Sequence, residues 1–349
     1  MRISSRRLVT PLLVAALAAA ACDSSSAPST ADTAPADGAD ASDDSAPVAP
    51  DAPPDTAAPD VDPDAPRCDT SPLPAPAPHP LLRDGFMRIA HRGGGALAPE
   101  ATMAAYENAA AIGVDVLECD AHATSDGVVV CIHDESVNRT TDGTGLVRAM
   151  TFDALRALDA GYQFTPDGGA TFPFRGQGLQ VPTLAELLAA FPEHAWAIEI
   201  KQAAPSIVDD VVAIVREAGR ERDIVLASFD EATTLAMRAA APEIETAMTI
   251  AELVRFANLP AAEEACWVPA ARFVQSPQRS GPLDVLSPAA LARARRHGVR
   301  IHLWTVNDRA DMDAAIERGA DGIFTDDPAA LREVLEARGA WRPAPGMEK

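Results

Sequence analysis

Met87-Arg88-Ile89-Ala90-His91, then the run Ala101 to Ile112, then Val114-Asp115-Val116-Leu117-Glu118-Cys119-Asp120 stand in succession in this chain. The outer two are short β-type runs and the segment between them has a helical pattern. Together they read as one strand–helix–strand unit with parallel strands. The alternation continues outward. Further strands are expected at Val128–His133, Trp196–Lys201, Ile224–Ser228, Thr246–Ile250, Arg272–Gln275, Val299–Val306 and Gly322–Thr325. Further helices are expected at Leu184–Phe191, Ser206–Ala218, Glu231–Ala240, Pro288–His297, Arg309–Glu317 and Pro328–Ala337. Pro288 and Pro328 suit first helical turns behind Ser287 and Asp327 as N-caps, and Gly219, Gly298 and Gly319 suit C-terminal caps.

This pattern occupies residues 86–341, about 255 residues, the size of one (β/α)8 TIM-type barrel. Two smaller domains fit the length alone, but no internal repeat or second linker marks a boundary. Nine strand candidates compete for eight barrel places, and Arg272–Gln275 is the one expected to lie outside. Residues 161–180 interrupt the alternation with Gly, Pro and four aromatic residues, Tyr162, Phe164, Phe172 and Phe174. A long loop inside a compact domain calls for a reason. This one can wall a substrate cleft or pack over the barrel.

The N-terminal part is of another kind. Residues 1–21 hold Arg2, Arg6 and Arg7, an apolar run from Leu8 and a small-residue close before Cys22, which reads as an export signal. The apolar run is short for a membrane span. Cys22 then suggests a bacterial lipoprotein whose new N-terminal cysteine is acylated, with ordinary cleavage to a secreted protein as the alternative. Residues 22–80 form an Asp/Pro/Ala-rich linker. From Asp23 to Pro80 it carries twelve Asp, one Arg and fourteen Pro, half of the chain's net charge of −22. Such a segment buries too little apolar surface to offset its ordering entropy, and its self-repulsion extends it. It reads as a disordered tether, so the acidity says little about substrate, and no nucleic-acid partner is expected. Of the remaining cysteines, Cys68, Cys119, Cys131 and Cys266, no spacing resembles a disulfide scaffold or a zinc site. Cys119 and Cys131 sit inside strand-like runs, where a free buried thiol is the expectation.

The chemistry gathers at the ends of the strands. Glu118 and Asp120, at i and i+2, point to one face of a strand, where two carboxylates repel unless a cation lies between them. A solvated strand end is the alternative for this pair alone. Ser125-Asp126-Gly127 signals a hairpin turn. With a two-residue turn, either Asp120 or Glu118 stands opposite His133, so the histidine is expected on the carboxylate face. His91 ends the first strand. It is followed by Arg92, whose guanidinium can take a phosphate bidentately, and by Gly93-Gly94-Gly95, where backbone can approach a ligand closely. A lone histidine in such a place is often structural; two beside an acidic cluster can serve as proton donor and acceptor. Glu199-Ile200-Lys201 repeats the i, i+2 placement with opposite charges. The chain has two lysines, Lys201 and Lys349, against 27 arginines, so an ammonium retained here fits a site needing a compact point charge.

The ordered set resembles the glycerophosphodiester phosphodiesterases, a (β/α)8-barrel family related in mechanism to bacterial phosphatidylinositol-specific phospholipases C. The resemblance rests on His91-Arg92-Gly93 through Pro99-Glu100-Ala101-Thr102; Glu118-Cys119-Asp120 with Thr124-Ser125-Asp126-Gly127; His133-Asp134 with Arg139-Thr140-Thr141-Asp142-Gly143; Val181-Pro182-Thr183-Leu184; Glu199-Ile200-Lys201; Ser228-Phe229; Trp304-Thr305-Val306-Asn307; and Asp321-Gly322-Ile323-Phe324-Thr325-Asp326. Ala101 departs from the family's usual Asn. The resemblance implies hydrolysis of a small glycerophosphodiester to sn-glycerol 3-phosphate and an alcohol. His91 and His133 would be the acid–base pair, Glu118, Asp120 and Glu199 would hold one Ca²⁺ or Mg²⁺, and Arg92 and Lys201 would hold the phosphate. Glu100 is expected as a supporting or substrate contact, Trp304 as a substrate contact or a plug of the barrel mouth, and Asp326 as a helix cap. Competing readings are a phosphatidylinositol-type phospholipase C or sphingomyelinase D-like lipid phosphodiesterase, a barrel glycosidase using Glu118 and Glu199, and an inactive surface-binding lipoprotein. The oligomeric state is not readable.

Overall fold

The computed structural model describes residues 79–342, apart from 265, 278, 281 and 282. The expected export signal, Cys22, Cys68 and residues 22–78 of the expected linker lie outside the described residues.

Eight parallel strands make the frame. They are β1 (Met87–Ala90), β2 (Val116–Ala123), β4 (Ala195–Ile200), β5 (Ile224–Ala227), β6 (Glu245–Thr246), β7 (Phe273–Ser276), β10 (Arg300–Leu303) and β11 (Gly322–Thr325). Their order is β6-β5-β4-β2-β1-β11-β10-β7. The two ends of that path meet: Ala247 bridges Phe273 in parallel, and the Met248 N–H donates to the Phe273 carbonyl at 2.8 Å. The result is a nearly closed (β/α)8 barrel. Ile89, Val116, Ala197, Val225, Phe273 and Phe324 fill its interior, and Leu81, from a 3-10 turn at Pro80–Leu82, packs among them. Each large side chain buried this fully stabilises the fold by roughly 1.5–3 kcal/mol. Outside the strands, helices bury a second apolar layer. Val211, Val212 and Val215 of Val208–Glu217 are one such stripe, at the spacing an amphipathic helix requires.

Two strand expectations are corrected. Phe273–Ser276 is a barrel strand, whereas the odd one out is β3 (Val129–Cys131), which pairs antiparallel with β2 and lies off the barrel path. A strand joined to β2 by a three-residue turn can only be antiparallel to it, so it cannot take a place in an all-parallel barrel. The stretch expected as a strand at Thr246–Ile250 is extended only at Glu245–Thr246. Thr249 and Glu252 form a reciprocal capping box that starts the helix Ile250–Asn258. β8 (Arg279–Ser280) and β9 (Leu283–Asp284) form a small antiparallel pair after β7.

The hairpin register also differs from expectation. Ala121 pairs with Cys131, His122 with Val130 and Ala123 with Val129. The turn holds three residues: Thr124 N–H donates to the Val128 carbonyl, and Gly127 takes the left-handed conformation at φ +84°. This one-residue change swaps faces. Cys119 and Cys131 now share the outer face, and they form a disulfide with Cα atoms 5.7 Å apart. The expectation of two free buried thiols is therefore wrong. Residues 161–180 fold on themselves: Phe164 packs edge-on against Phe174, and Arg175 lies over Tyr162 and Phe172.

Candidate active site

The C-terminal ends of the barrel strands open onto a cavity of about 280 Å³. Its polar side is formed by His91, Arg92, Glu118, His133, Glu199 and Lys201; Phe229, Met248, Leu253 and Trp304 are among the residues on its apolar side. Residues 161–180 do not line it. Asp120 borders the cluster as the register partner of Glu199 on the neighbouring strand, so the two carboxylates point the same way, with Glu118 two residues deeper.

Each histidine is held through Nδ1 by its own carboxylate. His91 Nδ1–H donates to Asp326 Oδ1 at 2.7 Å, and His133 Nδ1–H to Asp134 Oδ1 at 2.7 Å. This leaves Nε2 of both rings for proton transfer. Asp326 is clamped in turn by Asn307, whose Nδ2 donates to its Oδ2 at 2.7 Å and whose Oδ1 accepts its backbone N–H at 2.8 Å. Asp327 caps the helix Pro328–Ala337, as expected, and Asp326 does not. Asp134 accepts two bonds from Arg139, which also forks onto both oxygens of Glu100. Glu100 further accepts from Arg92 at 3.2 Å. It therefore ties the Arg92 side of the site to the His133 side.

His133 reaches the cavity by a route the strand pattern did not show. In the observed register it would belong to the outer face, but the ladder ends at Cys131 and the chain turns inward after the Ile132 N–H bonds to the Asp120 carbonyl at 2.9 Å. Arg92 has φ +52°, a sparsely populated region for a side-chain-bearing residue, and its backbone N–H donates to Glu118 Oε2 at 2.6 Å. Gly93 lets this turn press against the following helix: a Cβ there would stand 3.0 Å from the Ala105 Cβ.

The charges are strongly coupled. Lys201 Nζ lies 3.3 Å from Asp120 and 3.0 Å from Glu199, and Arg92 Nε lies 3.5 Å from Asp120. Burial opposes charge on Asp120, yet Lys201, His133 and Arg92 hold its carboxyl well below the usual range. Burial and the neighbouring Asp120 instead push Glu118 up to about 8. Burial also raises Glu199, against the pull of Lys201. For His91, burial disfavours the charged ring, but Asp326 and Glu118 outweigh it and raise its pKa.

The carboxylates fit a hard divalent cation in donor type. Asp120 Oδ2 and Glu199 Oε1 are buried without a hydrogen-bond partner, as two ligand oxygens awaiting a cation would be. Among the described residues no three such side chains already stand in a closed metal arrangement; Lys201 bridges Asp120 and Glu199 instead. Trp304 lines the cavity and meets Phe229 edge-on at 5.7 Å, while Lys201 Nζ sits 5.5 Å from the Phe229 ring.

Comparison with known proteins gives one consistent answer. The family model described as "Glycerophosphoryl diester phosphodiesterase family" matches residues 91–330. A curated glycerophosphodiester phosphodiesterase from Caldanaerobacter subterraneus is 31% identical over 257 residues, covering 72% of this chain and 98% of the relative. Among solved structures, a glycerophosphodiester phosphodiesterase from Agrobacterium tumefaciens is 28% identical with a TM-score of 0.59, covering 70% of this chain and 98% of that one. A glycerophosphoryl diester phosphodiesterase homologue from Silicibacter pomeroyi is 26% identical with a TM-score of 0.62, covering 76% and 100%.

Proposed function

This chain belongs to the glycerophosphoryl diester phosphodiesterase family, and from that premise we propose that it hydrolyses glycerophosphodiesters to sn-glycerol 3-phosphate and an alcohol by acid–base catalysis between His91 and His133, with one Ca²⁺ or Mg²⁺ bound by Glu118, Asp120 and Glu199. The observation that carries the reading is the pair of histidines, each fixed at Nδ1 by a separate carboxylate, on one cavity with the buried Arg92 and the half-buried Lys201. A phosphodiester needs one group to take a proton from the attacking oxygen and another to give one to the leaving oxygen. Two oriented imidazoles supply both. Arg92 and Lys201, now paired with the carboxylates, turn their donors to the phosphate oxygens once those carboxylates have another positive partner. The cation's contribution when bound is to neutralise charge on the transferring phosphoryl oxygens. Glu100 and Arg139 hold Arg92 and Asp134 in place, and Trp304 offers an apolar wall to the substrate.

The test is a panel of glycerophosphodiesters bearing choline, ethanolamine, glycerol or inositol, assayed with Ca²⁺, Mg²⁺ or EDTA. The proposal expects sn-glycerol 3-phosphate with a divalent cation and its loss in EDTA. A phosphorylated head group as the product would favour a phospholipase C-type reaction, and cation-independent turnover would remove the metal from the account.

We infer further that the enzyme is exported and anchored to a membrane through acylated Cys22, with residues 23–78 as an extended tether. The basic start, the apolar run and the twelve aspartates support this. For a flexible chain of that length the root-mean-square span is about 40 Å, more with proline and charge extension. The barrel would then reach soluble substrates clear of the surface. Mass spectrometry of the native N-terminus, finding either a diacylated Cys22 or another processed residue, decides this.

A further inference from the structure

The disulfide Cys119–Cys131 has no role in the mechanism above, yet it stands between the parts that must meet. Cys119 lies between Glu118 and Asp120, and Cys131 lies two residues before His133. β2 and β3 are laddered at three positions, ending at the Ala121–Cys131 pair. The ladder is short, although Val130 also bridges Thr183 and the Cys131 N–H donates to the Pro182 carbonyl, and its pairing stops before the catalytic histidine is reached. The disulfide runs diagonally past that last pair to Cys119, one pleat deeper in the barrel strand. Both cysteines are buried in the outer apolar layer, while Glu118 and Asp120, on either side of Cys119, point to the opposite face of the strand, Glu118 into the cavity and Asp120 at its border. Other restraints on this segment are the Ile132 N–H bond to the Asp120 carbonyl at 2.9 Å, the contact of His122 Nε2 with the His133 carbonyl at 3.2 Å, and the Arg139 fork between Asp134 and Glu100, which joins side chains and leaves the arginine 43% exposed. Exposed ion pairs restrain geometry weakly.

We propose that the Cys119–Cys131 crosslink is a positioning element for the reaction, fixing the segment from Ile132 to Asp134, and with it the His133–Asp134 pair, against Glu118 and Asp120. It never touches substrate. Its effect comes through geometry, since displacement of a catalytic group by about 1 Å can cost on the order of 10²-fold in rate. This rests on the role proposed for His133. Normal turnover in His133→Ala would sink that role, whereas an inactive His133→Ala beside fully active crosslink variants would sink the positioning alone.

The experiment uses the full chain with saturating cation and glycerophosphocholine. Cys119→Ala/Cys131→Ala and the better-filled Cys119→Ala/Cys131→Val are compared with the parent, with circular dichroism confirming the fold. The expected result is a fall in kcat of about tenfold or more with KM within about twofold. The loss should largely vanish in an Asp134→Asn background, where the His133 pair is already loosened, and persist in an Asp326→Asn background, which disturbs His91. Unchanged kcat in the folded variants overturns the proposal, and so does an equal further loss in both backgrounds. Failure of both variants to fold also overturns it, because the crosslink would then be a structural staple.

Discussion

His91 and Asp326 meet at 2.7 Å across 235 residues of sequence, because the first barrel strand pairs with the last. Ala90 stands beside Thr325 in that register, so the residue following each strand emerges at the same rim. Closure of the barrel thus builds the His91–Asp326 half of the proposed acid–base pair.

That pairing predicts a pH effect. Asp326 favours the charged imidazole of His91 and helps raise its pKa. Asp326→Asn removes the carboxylate's charge, so the His91 limb of the pH–rate profile should move to lower pH. Activity at the optimum should fall by roughly 10–10²-fold, as for lost orienting partners. Profiles of kcat from pH 5 to 9 check this; an unmoved limb would show that Asp326 does not tune His91.

Much of this was readable from the chain, and the exceptions have local causes. The strand–helix alternation located the barrel, and the i, i+2 spacings placed Glu118 with Asp120 and Glu199 with Lys201 at its mouth. The hairpin was misread by one residue because Ser125-Asp126-Gly127 also suits a three-residue turn. Side-chain facing has period two, so that single residue hid the disulfide and assigned His133 to the cavity for the wrong reason. Nothing local to Asp326 points to its role, because its partner His91 lies 235 residues away in the chain. Asp134, adjacent to His133, was the available clue that each histidine has its own carboxylate. Thr246, Thr249 and Ile250 are β-branched and read as strand, whereas the Thr249–Glu252 capping box is what starts the helix Ile250–Asn258.

The carboxylates should separate in a metal-free stability series. Glu118 has a pKa near 8 in the folded chain against an ordinary 4.5, so between those values the folded state retains a proton that the unfolded state has lost. Its contribution to stability is therefore full below about pH 4.5 and is lost as pH rises through 8. In EDTA, Glu118→Gln should raise Tm at pH 8 and flatten its fall between pH 5 and 8. Asp120→Asn should lower Tm, since it leaves Lys201 and Arg92 short of a partner. Thermal melts at both pH values give the answer, and a Glu118→Gln variant less stable than the parent at pH 8 contradicts it.

Adding the cation should reverse that trend. Binding to the folded state alone raises Tm by mass action, and more at pH 8, where the carboxylates are ionised, than at pH 5. Glu118→Gln, Asp120→Asn and Glu199→Gln should each weaken cation affinity in isothermal titration. Parent-like affinity in all three would place the cation elsewhere.

Ala101 occupies the left-handed region at φ +55°, which costs an L-residue roughly 1–2 kcal/mol and which Asn tolerates better. Ala101→Asn, the residue the family usually carries there, should stabilise the protein by about 0.5–1 kcal/mol and raise Tm by about 1–4 °C. A lower Tm would show that the buried pocket around residue 101 does not accept the amide.

The most direct test of the two-histidine mechanism is release of sn-glycerol 3-phosphate by the parent, His91→Ala, His133→Ala and the double variant, with saturating cation. Each single variant should lose about 10²–10⁴-fold in kcat, and the double should lose far less than the product of the two, because both groups serve one reaction path. Near-parent turnover in either single variant, with the fold intact, would contradict the account.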